Sequence, residues 1–216
     1  WDLIGSPVDG QSISGFATTN ATPLATGGGS GSDQYAIGYY DNSDGSWTNY
    51  TTGTIGGASS FDIGKGYAMG TDSGATLAFT GTIATVDQVQ AITDNETDPY
   101  SSTGASRWNL VANPYPSYLN VNTNADGSNN FLTINGTTNL HDTYVYVYGY
   151  DADGVGTEYT IYNQISGATY LAPGQGFFVA ADASADLEFS EAMQTTSGGD
   201  DFISGDTMDD VFEVLL

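Results

Sequence analysis

The chain has 216 residues, of which 39% are hydrophobic and 12% aromatic, so it is long enough and apolar enough to bury a core. Its 26 acidic residues stand against only two basic ones, Lys65 and Arg107, which gives a formal net charge of −24. This charge repels nucleic-acid phosphates and anionic membranes, so we expect no nucleic-acid partner and no membrane insertion. The sequence has no cysteine, which excludes disulfides and thiolate chemistry.

An internal repeat organises the predicted elements. The first block, residues 1–7 (Trp-Asp-Leu-Ile-Gly-Ser-Pro), returns at residues 108–114 (Trp-Asn-Leu-Val-Ala-Asn-Pro). Later blocks return in the same order at nearly constant offsets: Tyr-Asp at 40–41 and 150–151, Tyr50 and Tyr159, Gly-x-Gly-aromatic at 64–67 and 174–177, and Leu-x-Phe at 77–79 and 187–189. The pattern predicts one unit of about a hundred residues used twice, over 1–93 and 107–216, with a linker at 94–106.

Short strands follow one another within each copy. Residues 35–40 and 47–51 flank a polar turn, and residues 144–150 and 159–162 flank another, so each copy is predicted to contain a hairpin. The glycine-rich stretch at 22–33 predicts a flexible loop. No helix is expected, apart from short helical turns near residues 85–88 and 116–119.

These strands predict an all-β fold of two tandem, internally duplicated units, each a β-sandwich or jelly-roll. Side-by-side packing of the two units is one arrangement that the duplication allows. The chain begins at Trp1 without a signal peptide, which predicts a processed mature chain or a segment of a longer one.

Three segments of the second copy carry a resemblance to a known kind of module. They are WNLVANPYPS at 108–117, APGQGFFV at 172–179 and LEFSEAM at 187–193, and WDLIGSP at 1–7 is a weaker copy of the first. They resemble a β-sandwich module of secreted surface proteins of the Bacteroidota, the substrates of type IX secretion. The resemblance implies an extracellular or cell-surface location and no catalytic residues.

Acidic turns make Ca²⁺ the cofactor to consider, although the sequence requires none. Asp151, Asp153 and Glu158 form one such turn, and Asp41 with Asp44 forms its counterpart. Hard cations take several oxygens at about 2.3–2.6 Å, and a tight acidic turn can supply some of them. Because Asp and Gly are also the usual turn residues, an ordinary hairpin is the alternative. Two further sets are Asp94, Glu96 and Asp98, and Asn124 and Asp126.

Aromatic side chains beside polar ones suggest carbohydrate binding, because sugars offer both flat apolar faces and hydroxyls. The candidate glycan-binding residues are Trp47, Tyr50, Tyr115, Tyr118 and Tyr159. Packing in a core is the alternative for each of them. Trp1 and Trp108 are repeated and are therefore expected to be core residues.

Neither catalysis nor modification has a strong signal. His141 is the only histidine, so a Ser-His-Asp triad would have to use it, and we expect a turn residue and no enzyme activity. A glycosidase is the enzyme class that paired carboxylates would otherwise suggest. Candidate glycosylation positions are Asn20, Asn49, Asn95, Asn135 and, in an Asp-Thr-Met motif, Thr207.

The sequence thus predicts an extracellular structural or adhesive surface protein. One form is a fibre subunit that associates with itself or with other surface proteins by strand addition, using the strand at Trp1 and the apolar strand at 211–216. The alternative is a carbohydrate-binding module, or a spacer domain of a larger secreted adhesin or hydrolase.

Overall fold

A computed structural model describes residues 1–21, 24, 26–29, 32–72, 76–97, 104–150 and 159–198. Strands account for 40% of the structure and helices for 10%, so the predicted all-β class is confirmed. The strands are β1 (Asp2–Ile4), β2 (Thr26–Gly29), β3 (Ser32–Asp41), β4 (Ser46–Thr51), β5 (Tyr67–Met69), β6 (Gln88–Ile92), β7 (Trp108–Ala112), β8 (Tyr118–Asn120), β9 (Val147–Tyr150), β10 (Tyr159–Tyr162), β11 (Tyr170–Leu171), β12 (Gly176–Ala180), β13 (Ala185–Phe189) and β14 (Gln194–Thr195). The helices are α1 (Ile13–Thr19) and α2 (Phe131–Asn135), with 3-10 turns at Ile55–Gly57 and Glu191–Met193.

The first half of the chain forms a five-stranded antiparallel sheet. Its order is β1-β5-β3-β2. Strand β4 pairs with β3 along the edge opposite β5. The prediction of a flexible loop at 22–33 was wrong where β2 lies, because Gly27 and Gly28 pair with Gln34 and Asp33. A glycine run has little strand propensity of its own, so its extended conformation depends on the neighbouring β3.

The second half repeats this arrangement in the order β10-β9-β12-β7. Strands β7, β12, β9 and β10 therefore correspond to β1, β5, β3 and β4. The hairpin registers refine the correspondence, since Tyr40 pairs with Trp47 where Tyr150 pairs with Tyr159. The structural counterpart of Tyr159 is thus Trp47 and not Tyr50.

Two short helices occur where none was expected. The Ser12 hydroxyl accepts a hydrogen bond from the Gly15 amide at 3.1 Å, and the Asn130 side chain accepts one from the Thr133 amide at 2.8 Å. These N-caps begin α1 and α2, which have only 7 and 5 residues. Helices this short show no readable apolar period and are stabilised by packing, so the sequence pattern missed them. The helical turns expected at 85–88 and 116–119 are not helical, and that prediction was wrong.

Each large sheet buries one face beneath its helix. In the first half Ile4, Ile37 and Met69 of the sheet share a cluster with Phe16 of α1. In the second half the cluster formed by the sheet and α2 is larger, and its buried members include Val111, Val147, Phe131, Phe177, Phe189 and Ile92. Strand β6 ends at Ile92, so the last strand of the predicted first unit contributes to the second core.

Strand β6 also pairs along its whole length with β13, from Gln88 opposite Phe189 to Ile92 opposite Ala185. The segment that precedes the predicted linker is therefore part of a small sheet of the second half. A second small sheet, β11-β8-β14, also belongs to that half.

The two halves are joined by a reciprocal pair of contacts made by the repeated Gly-x-Gly segments. The Gly5 amide donates to the Gly174 carbonyl at 2.7 Å, and the Ala112 amide donates to the Gly64 carbonyl at 2.8 Å. Gly5 and Ala112 are equivalent positions of the repeat, as are Gly174 and Gly64. The contact is thus the internal version of an isologous dimer interface. No helix in the described part of the chain is long and apolar enough to cross a membrane.

Candidate ligand-binding cleft

The side of each large sheet that faces away from its helix is rich in aromatic residues. Successive side chains of a strand point to opposite faces, so Trp1 and Leu3 share one face of the first sheet. Trp108 and Leu110 share the equivalent face of the second. These two faces meet, and Leu3 and Leu110 are buried there together with Ala68 and Phe178.

Phe178 lies at the centre of the aromatic contacts on this face. Its ring meets Tyr40 and Trp47 of the first half and Tyr159 of the second, with centroid separations of 5.3, 6.2 and 5.8 Å. The interplanar angles are 86°, 88° and 80°, so all three contacts are edge-to-face, the arrangement that aromatic quadrupoles favour. Phe178 is 7% exposed and lies at the base of these contacts as a floor.

Above this floor an open depression, here called the aromatic cleft, runs between the two sheets. Its larger pocket has a volume of about 450 Å³ and is lined by Tyr40, Trp47, Trp108, Tyr148, Tyr159, Ile161 and Phe178. Its smaller pocket has a volume of about 310 Å³ and is lined by Trp1, Leu3, Trp47, Asn49, Ala68, Tyr150 and Tyr159. Both volumes lie in the range of small-ligand sites, and Trp47 and Tyr159 border both pockets.

The two pockets are equivalents generated by the duplication. Trp108 of the larger pocket corresponds to Trp1 of the smaller one. Asn49 and Ile161 also occupy matching positions, since Gly38 pairs with Asn49 where Tyr148 pairs with Ile161. Asn49 therefore places a side-chain amide in the smaller pocket where the larger pocket has the aliphatic Ile161.

The cleft leaves large apolar side chains in contact with solvent. Trp47 is 45% exposed, Tyr159 47% and Trp1 58%. All three tryptophans of the chain line the cleft. Exposed aromatic side chains that lie together on a folded surface are typical of a binding site, because covering them with a ligand or partner is favourable.

The hydroxyls of Tyr148 and Tyr159 in the cleft remain protonated at neutral pH. Burial raises the pKa of Tyr148 to about 12, with smaller contributions from Tyr146 and Tyr144. Burial, followed by the neighbouring Tyr150, also raises the pKa of Tyr159. These phenols can therefore donate as well as accept hydrogen bonds. The cleft thus offers flat π faces, phenol groups and indole N–H groups to a ligand.

The structure brings two of the five predicted glycan-binding residues together, namely Trp47 and Tyr159. Tyr115 instead lies fully buried, with its hydroxyl within hydrogen-bonding distance of the Val86 and Phe189 carbonyls. Tyr50 packs against the first core, and Tyr118 begins β8. Neither lines the aromatic cleft.

The prediction of core residues was wrong for Trp1, whereas Trp108 is partly buried and packs against the small cluster between the sheets. Trp1 is the most exposed tryptophan, and Trp108 packs edge-to-face on Tyr148 at 4.8 Å beside the larger pocket. Their repetition at the start of each unit was a usable signal of a shared role. The sequence could not reveal that the role is to line a cleft, because the facing sheet belongs to the other half of the chain.

The acidic turns within the described residues use their carboxylates on their own backbone. Asp41 accepts hydrogen bonds from the hydroxyl and amide of Ser43 at 2.6 and 2.9 Å, which lower its pKa. Asp44 accepts one from the Ser46 amide at 3.0 Å. Asp126 accepts from the Ser128 and Asn129 amides, both at 2.8 Å. Asp151, Asp153 and Glu158 lie outside the described residues.

Two other candidate calcium ligands are ion-paired. Arg107 lies 3.8 Å from Asp94 and also contacts Glu96 through its Nε. Among the described residues no group of three acidic, histidine or cysteine side chains could hold a metal ion. The two ends of the predicted linker are also joined to each other, because the Asn95 backbone amide donates to the Ser106 carbonyl at 3.1 Å.

The remaining candidates have structural surroundings where they are described. His141 accepts a hydrogen bond from the Thr143 amide at 3.2 Å and contacts the Tyr144 ring. Asn20 and Asn135 are 2% and 0% exposed, so the folded chain does not present their amides for glycosylation. The other candidate positions are Asn49 in the cleft, Asn95, whose amide donates to Asn42 at 2.9 Å, and Thr207, which lies outside the described residues.

The architecture defines an all-β protein with two equivalent sheets around an aromatic cleft. The chain belongs to a family described as a domain of unknown function (DUF8693), whose model matches residues 1–210. Comparison with curated proteins and with solved structures returns no match.

Proposed function

We propose that this chain is an extracellular, non-enzymatic adhesion module that binds carbohydrate in the aromatic cleft. The observation that carries the proposal is the concentration of all three tryptophans, with Tyr40, Tyr148 and Tyr159, around one open cleft. The extracellular location rests on the resemblance of residues 108–117 and 172–179 to secreted Bacteroidota modules.

The chemistry of the cleft suits a sugar. Sugar rings have apolar C–H faces that pack on flat aromatic rings, and Trp47 and Tyr159 are about half exposed. Hydroxyls of the sugar can exchange hydrogen bonds with the tyrosine phenols and with the amide of Asn49. Catalysis is not part of the proposal, since no carboxylate, histidine or lysine is among the described residues that line either pocket.

A glycan array probed with the purified chain tests the proposal, and Trp47→Ala is the first variant. Trp47 borders both pockets, so its loss removes a stacking surface from each. We expect the affinity for a glycan on the array to fall at least tenfold, which is about the effect of losing one aromatic stacking contact. Because Trp47 is half exposed, the thermal midpoint should change little.

Tyr118→Ala is the matched control, because it deletes another partly buried aromatic residue outside the cleft. It should bind the array like the parent chain. A blank array for the parent chain, or equal losses in the two variants, would contradict the proposal.

A second candidate, a fibre subunit formed by strand addition, is favoured by the sheet edges. Strands β4 and β10 are outermost in their sheets among the described residues, so each has one edge without a strand partner there. Such edges accept added strands. The predicted donor strand at 211–216 lies outside the described residues. Negative-stain microscopy across protein and calcium concentrations tests this candidate, and isolated particles under every condition would rule it out.

A further inference from the structure

Neither of the two basic side chains of the chain lines the aromatic cleft. Lys65 lies 3.6 Å from Asp62, with its ammonium over the rings of Tyr39 and Tyr67 at 5.7 and 5.8 Å. Arg107 is held by Asp94 and Glu96. Both positive charges therefore have local partners of their own and are not directed at a ligand in the cleft.

The potential in the cleft is set by negative charge and by aromatic rings. The chain carries a net charge of −24, and no basic side chain among the described residues lines either pocket to offset it. The faces of aromatic rings are also electrostatically negative, so they attract cations and disfavour anions. The larger pocket is lined by six such rings, those of Tyr40, Trp47, Trp108, Tyr148, Tyr159 and Phe178.

From this charge complementarity we infer that the cleft selects glycans that carry protonated amino groups, such as glucosamine oligosaccharides. Neutral glycans bind more weakly, and glycans built from uronic acids or sulfated sugars are excluded. The inference rests on the proposed carbohydrate-binding function and adds the charge class of the ligand. An ammonium group over an aromatic face strengthens binding by about three- to thirtyfold relative to its uncharged equivalent.

The inference predicts a particular salt dependence. At about 0.02 M salt the attraction of a −24 protein for an ammonium acts over tens of ångströms, whereas at about 1 M it is screened within about 3 Å. The affinity for an amino glycan should therefore fall strongly with salt. The affinity for a neutral glycan of the same backbone should stay nearly constant.

Isothermal titration calorimetry with three hexasaccharides tests the inference at about pH 5.5, where the carboxylates remain ionised. The probes are the β-1,4-glucosamine hexamer, its fully N-acetylated form and a galacturonic acid hexamer. N-acetylation keeps the backbone and removes the charge, so the first two form a matched pair. We expect the glucosamine hexamer to bind about tenfold more tightly at low salt and the galacturonic acid hexamer not to bind.

Trp108→Ala separates cleft binding from general attraction of a cation to an acidic surface, because it changes no charge. We expect this variant to bind the glucosamine hexamer at least tenfold more weakly than the parent chain. Undiminished binding by this variant, equal affinities of the matched pair, or binding of the galacturonic acid hexamer would each overturn the inference. In the last two cases the proposed glycan-binding function would still hold. If no hexamer binds and the glycan array is also blank, the inference falls together with the proposed function.

Discussion

A single buried asparagine connects each short helix to a neighbouring extended segment. The amide of Asn135 donates to the carbonyls of Phe131 and Glu188 at 3.1 and 2.9 Å, and its oxygen accepts from the Glu188 amide at 2.8 Å. Asn20 makes the same three contacts with Phe16 and Ala78 in the first half. The two sequons that begin at Asn20 and Asn135 are buried because both asparagines make these structural hydrogen bonds.

Asn135→Ala should destabilise the chain markedly. The change removes the Asn135 partners of the part-buried Glu188 amide and carbonyl, and each group left unsatisfied costs about 1–3 kcal/mol. We expect the free energy of unfolding in urea to fall by about 3 kcal/mol. Asn129→Ala, on an exposed position of the loop before α2, should change it by less than about 0.5 kcal/mol. Similar losses for the two variants would contradict the role assigned to Asn135.

At the scale of elements, the Gly-x-Gly segments before β5 and β12 determine how closely the two halves approach. Gly64 and Gly174 have φ values of 80° and 67°, which glycine adopts without strain. A Cβ on Gly176 would lie 2.6 Å from the Leu3 carbonyl carbon, and one on Gly66 would lie 2.6 Å from Leu110 Cγ. Each segment thus packs against the first strand of the other half.

Gly176→Ala should weaken this junction. The added methyl group meets backbone atoms of β1, which cannot move aside as a flexible side chain does, so we expect a loss of about 2–3 kcal/mol in urea unfolding. Gly127→Ala is the matched control, since its Cβ has no atom within 4 Å, and it should be nearly neutral. A neutral Gly176→Ala would mean that the two halves do not meet as closely as described.

Much of the element pattern was readable from the sequence. The hairpins of β3 with β4 and of β9 with β10 were predicted because polar turns separate runs of strand-forming residues. Helices α1 and α2 were not, because Ser12 and Asn130 begin helices too short to show a period. The extended β2 was also missed, since its glycines take their conformation from β3.

At the scale of the molecule, the two repeats share so much contact that we expect them to fold together. Strand β6 of the first repeat pairs with β13 of the second, and the first strand of each half is bonded to the Gly-x-Gly segment of the other. Leu3, Ala68, Leu110 and Phe178 are buried between the sheets. Either half on its own would therefore expose apolar residues that are buried in the whole chain.

We predict a single cooperative unfolding transition for the whole chain. Trp1, Trp47 and Trp108 all line the cleft between the halves, so tryptophan fluorescence reports on their separation, whereas far-ultraviolet circular dichroism reports on both sheets. The two urea curves should coincide within error. Loss of the fluorescence signal at a lower urea concentration would show that the halves separate before they unfold, as two independent domains would.

The sequence by itself determined the all-β class and pointed to the repeated unit, because strand propensity, turns and repeated blocks are local properties of the chain. It also identified Trp47 and Tyr159 as aromatic candidates. Only the tertiary structure decided that these two residues are equivalent and meet beside Phe178. That outcome depends on hairpin register and on the packing of one half against the other, through contacts of Phe178 with Tyr40 and Trp47, which lie more than a hundred positions away in the chain.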